Sequence, residues 1–152
     1  MKTLLRASAL CLAMQTGMAQ ADVEPTQKDA IAMVEKGAAM VKSQGKDEVM
    51  KRIAARDPEF VVGSLYLYAR DLKSGVVLAH PINPAIVGKD LIDVPDTNGK
   101  TYRREIIELA AKTGKGWVDY TYKNPATGKI EPKTTYVLRV NDIVLEAGIY
   151  KK

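Results

Sequence analysis

The only histidine of the chain, His80, closes the apolar run "VVLAHPINPAIVG" directly before a proline. A neutral imidazole donates from one nitrogen and accepts at the other, and as a cation near pH 6.5 it can hold a carboxylate. Lys133, in "IEPKTTYVLR", opens a strand-like run, where an ammonium can meet a small anion as a point charge. Six of the seven tyrosines (Tyr66, Tyr68, Tyr120, Tyr122, Tyr136 and Tyr150) fall in β-like segments, against one Phe and one Trp in the whole chain. Phe would serve an apolar core equally well, whereas a buried phenol needs a partner, so a sheet face lined with phenols suits a polar ligand. "YRRE" at 102–105 could add a guanidinium at a helix start.

Each candidate also has a plainer explanation. A strand-end histidine can bond only backbone, strand-end lysines are mostly solvated, tyrosines are good sheet formers, and "YRRE" reads as a solvated helix face. Enzyme signatures are missing: there is no second histidine, no G-x-S-x-G and no Gly-rich phosphate loop. His80 as general base on a small acid would lack a second catalytic group. Neither a metal site nor a cofactor is expected.

These side chains have to be positioned by the surrounding elements. Between Thr26 and Gln44, Ala30, Val34, Gly37 or Ala38, and Val41 recur at helical steps, with Thr26 and Asp29 as a capping pair and Gly45 as the stop. A shorter helix is expected over about Asp47 to Ala55. "FVVGSLYLYARDLKSGVVLAHP" changes to β period and predicts a hairpin of Phe60–Arg70 and Val76–His80 around "DLKSG". A three-residue turn would set His80 opposite Tyr68; a two- or four-residue turn would pair it with Leu67.

Beyond it, "INPAIVGKDLIDVPDTNGK" reads as a long irregular loop with one helical turn from Asn83-Pro84 to Gly88. A helix over Tyr102 to Lys112, stopped by Gly114, precedes three strands: "GWVDYTYK", "KTTYVLRV" and "IVLEAGIY". Along an ideal strand Lys133 and Tyr136 point to opposite faces, so their joint use needs a twist or bulge. Hairpin-linked strands with grouped helices predict an α+β fold with a five-stranded antiparallel sheet.

The opening "MKTLLRASALCLAMQTGMAQAD" has the layout of a signal peptide: Lys2 and Arg6, a short apolar centre, and Ala19-Gln20-Ala21. Residues 1–21 are expected to be removed, leaving 22–152 as one exported domain, periplasmic or secreted. Cys11 follows Leu10 rather than a small residue, so no lipid anchor is expected; the mature chain has no cysteine and must rely on its core. Losing Lys2 and Arg6 lowers the formal charge of +5 by two, and the remaining basic residues are scattered. Nucleic acid is therefore not an expected partner, and no apolar stretch after the signal is long enough to span a membrane.

Four segments carry a family resemblance: "AHP" followed by N-P and V-G-K, the "GWVDYTY" strand, "PKTTYV", and the terminal "GIY". With them, from about Lys28 to Tyr150, the chain resembles the single Cache domain, type 2, of bacterial extracytoplasmic sensing. The resemblance implies a PAS-like fold, with a long N-terminal helix on a five-stranded antiparallel sheet and a pocket between sheet and loops. It implies recognition of a small organic carboxylate of two or three carbons, without turnover. It places Tyr68, His80, Tyr122, Lys133 and Tyr136 around that ligand, with Trp117 as a wall; many relatives carry Trp where Tyr122 stands. Family members are often the outer part of a chemoreceptor or sensor kinase, so a membrane-bound receptor or kinase is the implied signalling partner. The alternatives are a ligand-free protein-interaction module and, further off, a small-acid enzyme using His80. If His80 binds as the cation, affinity should weaken as pH rises through its pKa.

Overall fold

The computed structural model describes residues 24–151, so the signal-peptide segment lies outside it. Helix α1 (Gln27–Gln44) begins with the expected reciprocal cap: the Asp29 amide donates to Thr26 Oγ1, and the Thr26 amide donates to Asp29 Oδ2 at 2.8 Å. Its buried stripe, Ala30, Val34, Gly37, Ala38 and Val41, lies on the sheet. Gly37 is required by that approach, because a Cβ there would stand 2.7 Å from Leu67 Cδ2. Helix α2 (Lys46–Ala54) follows at once and buries Val49 and Ile53.

Six strands follow, one more than expected: β1 (Val61–Val62), β2 (Leu65–Asp71), β3 (Val77–Ala79), β4 (Lys115–Lys123), β5 (Ile130–Val140) and β6 (Ile143–Tyr150). The extra strand arises where Gly63, at φ 59, turns the backbone and splits the single strand expected over Phe60–Arg70. All pairings are antiparallel, in the order β1-β2-β6-β5-β4, with β3 on β2. A 3₁₀ turn (Pro84–Ile86) and helix α3 (Tyr102–Thr113) lie between β3 and β4, and Gly114 ends α3 in the left-handed region.

Because β2, β5 and β6 are buried on both sides, alternation separates two compartments. Toward α1 point Leu67, Ala69, Tyr136, Val140, Leu145 and Ala147, forming the main core. Toward α3 and the long loop point Tyr66, Tyr68, Arg70, Lys133, Thr135 and Glu146, with a smaller apolar cluster of Tyr102, Ile106, Val118 and Val144 at one end.

Candidate functional site

Register decides which residues meet. Ala69 pairs with Ala79 and Arg70 with Val77, so Leu78 is an extra residue of a bulge, and His80 falls opposite Tyr68. Their rings lie 5.1 Å apart, and the His80 ring is equally close to Tyr66. His80 Nδ1 accepts the amides of Ile82 (3.3 Å) and Asn83 (2.9 Å), which fastens the turn after β3. The hydrogen of the neutral ring is thereby assigned to Nε2, and the ring itself lines the cavity. Burial, followed by the nearby Lys133, lowers the His80 pKa to about 3. Of the two readings open for His80, this favours the uncharged hydrogen-bond donor over the cation near neutral pH.

Lys133 is 1% exposed, and its Nζ donates to Tyr66 Oη at 2.9 Å while lying 4.1 Å from that ring's centroid. The Tyr150 ring covers it at 4.9 Å, with Tyr68 and Tyr122 further out. Room for this lysine comes from Gly148 on β6, where a Cβ would meet Thr135 Oγ1 at 2.2 Å and Lys133 Cε at 2.8 Å. Burial, only partly opposed by Glu146, lowers the Lys133 pKa to about 7.

Tyr68 Oη bonds Tyr120 Oη at 2.8 Å, and Tyr120 Oη reaches Thr135 Oγ1 at 2.9 Å. Tyr102, at the start of α3, stacks on Tyr120 with centroids 3.9 Å apart and planes 6° from parallel. Together Tyr66, Tyr68, Arg70, His80, Ile86, Tyr102, Tyr120 and Tyr122 enclose a cavity of about 10 Å³, the room of one water molecule. A wider groove of about 560 Å³ runs over the surface past Pro25, Val62, Asn124, Glu131 and Tyr150. Its Glu131 carboxylate already accepts from Asn124 and Thr127, whereas the smaller cavity is lined by the buried phenols, His80 and Arg70.

Four of the six expected site residues, Tyr68, His80, Tyr122 and Lys133, share one face. Trp117 and Tyr136 do not: they pair across β4 and β5, their rings are 5.3 Å apart, and both pack on the α1 side. Regular pairing from Lys133 to Val140 shows why, because no bulge brings Tyr136 round to the face of Lys133. The sequence reading counted Tyr66 and Tyr120 among the strand phenols without placing them at the ligand, and it missed Arg70, Tyr102 and Glu146. The period-2 spacing of Tyr66, Tyr68 and Arg70 was the available signal. Of "YRRE", Arg103 is buried over the Tyr102 ring and donates to the Val94 carbonyl, whereas Arg104, beside Asp93, and Glu105 are exposed, so the solvated-face reading holds for the last two residues only.

The family model for single Cache domain 2 matches residues 17–151, and the chain belongs to this family. Its fold is similar to the methyl-accepting chemotaxis protein from Vibrio parahaemolyticus (TM-score 0.70, 25% identity, covering 81% of this chain and 86% of that one). It is also similar to a periplasmic sensor domain of a chemotaxis protein (TM-score 0.62, 28% identity, 82% and 90% covered). A Cache chemosensory domain described for carboxylic acid recognition shares the fold (TM-score 0.64, 22% identity, 82% and 88% covered). The class defined by fold and relatives is that of a ligand-sensing domain. Among the described residues no helix is long and apolar enough to cross a membrane.

Proposed function

We propose that this domain binds a small organic monocarboxylate of two or three carbons, without chemical turnover, and reports its presence to a membrane-bound receptor or kinase. The observation that carries this reading is electrostatic: Arg70 and Lys133 are both buried on the tyrosine-lined face, and among the described residues Glu146 is the one carboxylate buried with them. An anion is the natural complement of the remaining charge. Arg70 lines the cavity and offers its guanidinium, His80 offers a neutral N–H, Tyr68 and Tyr122 supply directional hydroxyls, and Lys133 acts from behind Tyr66. The cavity as it stands has the room of one water, so its lining must shift to take even a two-carbon acid. The likeness to a carboxylate-recognising Cache domain and to a periplasmic sensor domain supports the ligand class and an exported location.

Catalysis by His80 finds no support, since its Nδ1 is occupied and burial suppresses protonation. The closed cavity favours one competing reading, a module acting through protein contacts alone. A thermal-melt screen of residues 22–152, refolded to remove carried-over ligand, separates the two. Acetate, propionate, lactate or pyruvate at 100 times its dissociation constant adds about 2.7 kcal/mol, a rise of several degrees. No rise with any acid would refute the carboxylate reading and favour protein contact.

A further inference from the structure

Arg70 is 2% exposed, and its Nη1 has no hydrogen-bond partner among the described residues. Its Nε lies 2.7 Å from Oε1 of Glu146, which is wholly buried on β6 across from Tyr68. The contact pairs the two charges without hydrogen-bond alignment, and neither Glu146 oxygen has another aligned partner among those residues, although the Tyr68 hydroxyl lies close by. Burial pushes the Glu146 carboxyl upward, and Arg70, whose guanidinium keeps its proton, opposes that shift together with Tyr68 and favours the ionised pair. Of the other ionisable groups around the cavity, His80 is neutral, the buried phenols are held protonated by desolvation, and Arg103 is bonded to Val94 outside the cavity lining. Two buried cations then lack an ion pair among the described residues: Lys133, bonded to the lining phenol of Tyr66, and Arg103, held on the face of the Tyr102 ring away from Tyr120.

We infer that Glu146, acting through Arg70, is the positioning residue that restricts this site to monoanions; the inference rests on the carboxylate reading above. With Glu146 on its Nε edge, Arg70 can turn Nη1 to a ligand while its charge is already matched. With Arg103 set behind Tyr102, the charge left to balance in contact with the lining is that of Lys133. A monoanion completes that balance, whereas a dianion of the same size leaves a surplus negative charge buried without a counter-ion. Glu146→Gln preserves side-chain shape, removes the internal anion and leaves two positive charges facing the cavity, which suits a dianion.

The test is calorimetric titration of the wild-type mature chain and Glu146→Gln with acetate against oxalate and propionate against malonate, at about pH 6.5 and fixed ionic strength. The variant is expected to shift the dianion-to-monoanion affinity ratio by about tenfold or more toward the dianion. A purely structural role for Glu146 would weaken both acids alike and leave the ratio in place, which would overturn the inference. Should Glu146→Gln fail to fold, Arg70→Gln supplies the second route. It leaves Glu146 opposing Lys133 and should abolish acetate binding, and adding Glu146→Gln, which removes that opposing anion, should recover part of it even without the guanidinium. Failure of that rescue overturns the inference. Wild-type protein that binds neither class overturns the carboxylate reading itself, whereas wild type that binds acetate beside an unchanged ratio in the variant overturns only the role of Glu146.

Discussion

The two faces of the central strands are built from alternate residues of the same segments, yet they are different materials. On the α1 side, Leu67, Ala69, Leu145 and Ala147 pack without a polar atom in their side chains. One residue along in each direction, Tyr66, Tyr68, Arg70 and Glu146 bury phenols and two opposite charges. Helix α1 stabilises the first face by close packing, down to the missing Cβ of Gly37. The second face retains polar groups that cost free energy to bury, including an arginine nitrogen and a glutamate with no aligned partner. A domain that needed only stability could have made both faces apolar. The contrast agrees with the proposed division, with ligand recognition on the α3 side and stability on the α1 side.

Truncation on the stability side should produce the largest change. Leu145→Ala empties a fully buried site beneath α1 and should cost about 2–5 kcal/mol, read from chemical denaturation. The stabilisation added by a bound acid should persist in that variant, because Leu145 points away from the cavity; loss of the ligand response would break the division of labour. Lys133→Met should do the reverse. Removing a buried cation that lacks a counter-ion should leave the ligand-free midpoint unchanged or raised, while abolishing the roughly 2.7 kcal/mol gained from saturating acid. A variant that melts lower yet still responds to the acid would make Lys133 structural.

Most of the architecture was legible in the sequence because helix periodicity, the Thr26 cap and the Gly45 and Gly114 stops are local signals. The split at Gly63 was not legible, since a glycine inside a β-like run gives no indication of whether the chain bends. Half of the site was equally hidden. Facing residues are fixed by register, and the bulge at Leu78 that brings His80 onto Tyr68 depends on tertiary pairing rather than on the turn residues. Spacing alone already put Lys133 and Tyr136 on opposite faces. The family resemblance grouped them, and the regular pairing of β5 with β6 keeps them apart. Arg70 and Glu146 look like surface residues until strand alternation and burial on both faces are known together.

The pH dependence sharpens the same comparison with a smaller effect. Folded Lys133 loses its proton near 7, whereas an unfolded lysine holds it up to about 10.5, so between these values the unfolded chain binds the extra proton. Stability of the ligand-free protein should therefore rise with pH in this window, by about 1 kcal/mol between roughly pH 7.5 and 8.5 relative to Lys133→Met. Acid binding should show the opposite slope, weakening above about pH 7 as the ammonium is lost. Parallel denaturation curves for wild type and Lys133→Met across this range would show that the lysine does not titrate there.

The smallest effect is expected at Tyr136, and it bears directly on where the pocket ends. Although it lies three residues from Lys133 in a segment that resembles a ligand-binding motif, its ring packs against Trp117 beneath α1. Tyr136→Phe retains that packing and removes only a hydroxyl, so stability should change by less than about 0.5 kcal/mol. Affinity for the acid should stay within about twofold, measured by the same titration used for the wild type. A tenfold loss of affinity at unchanged stability would mean that the ligand reaches through the sheet's edge to the α1 side, and the two faces would then share the work of recognition.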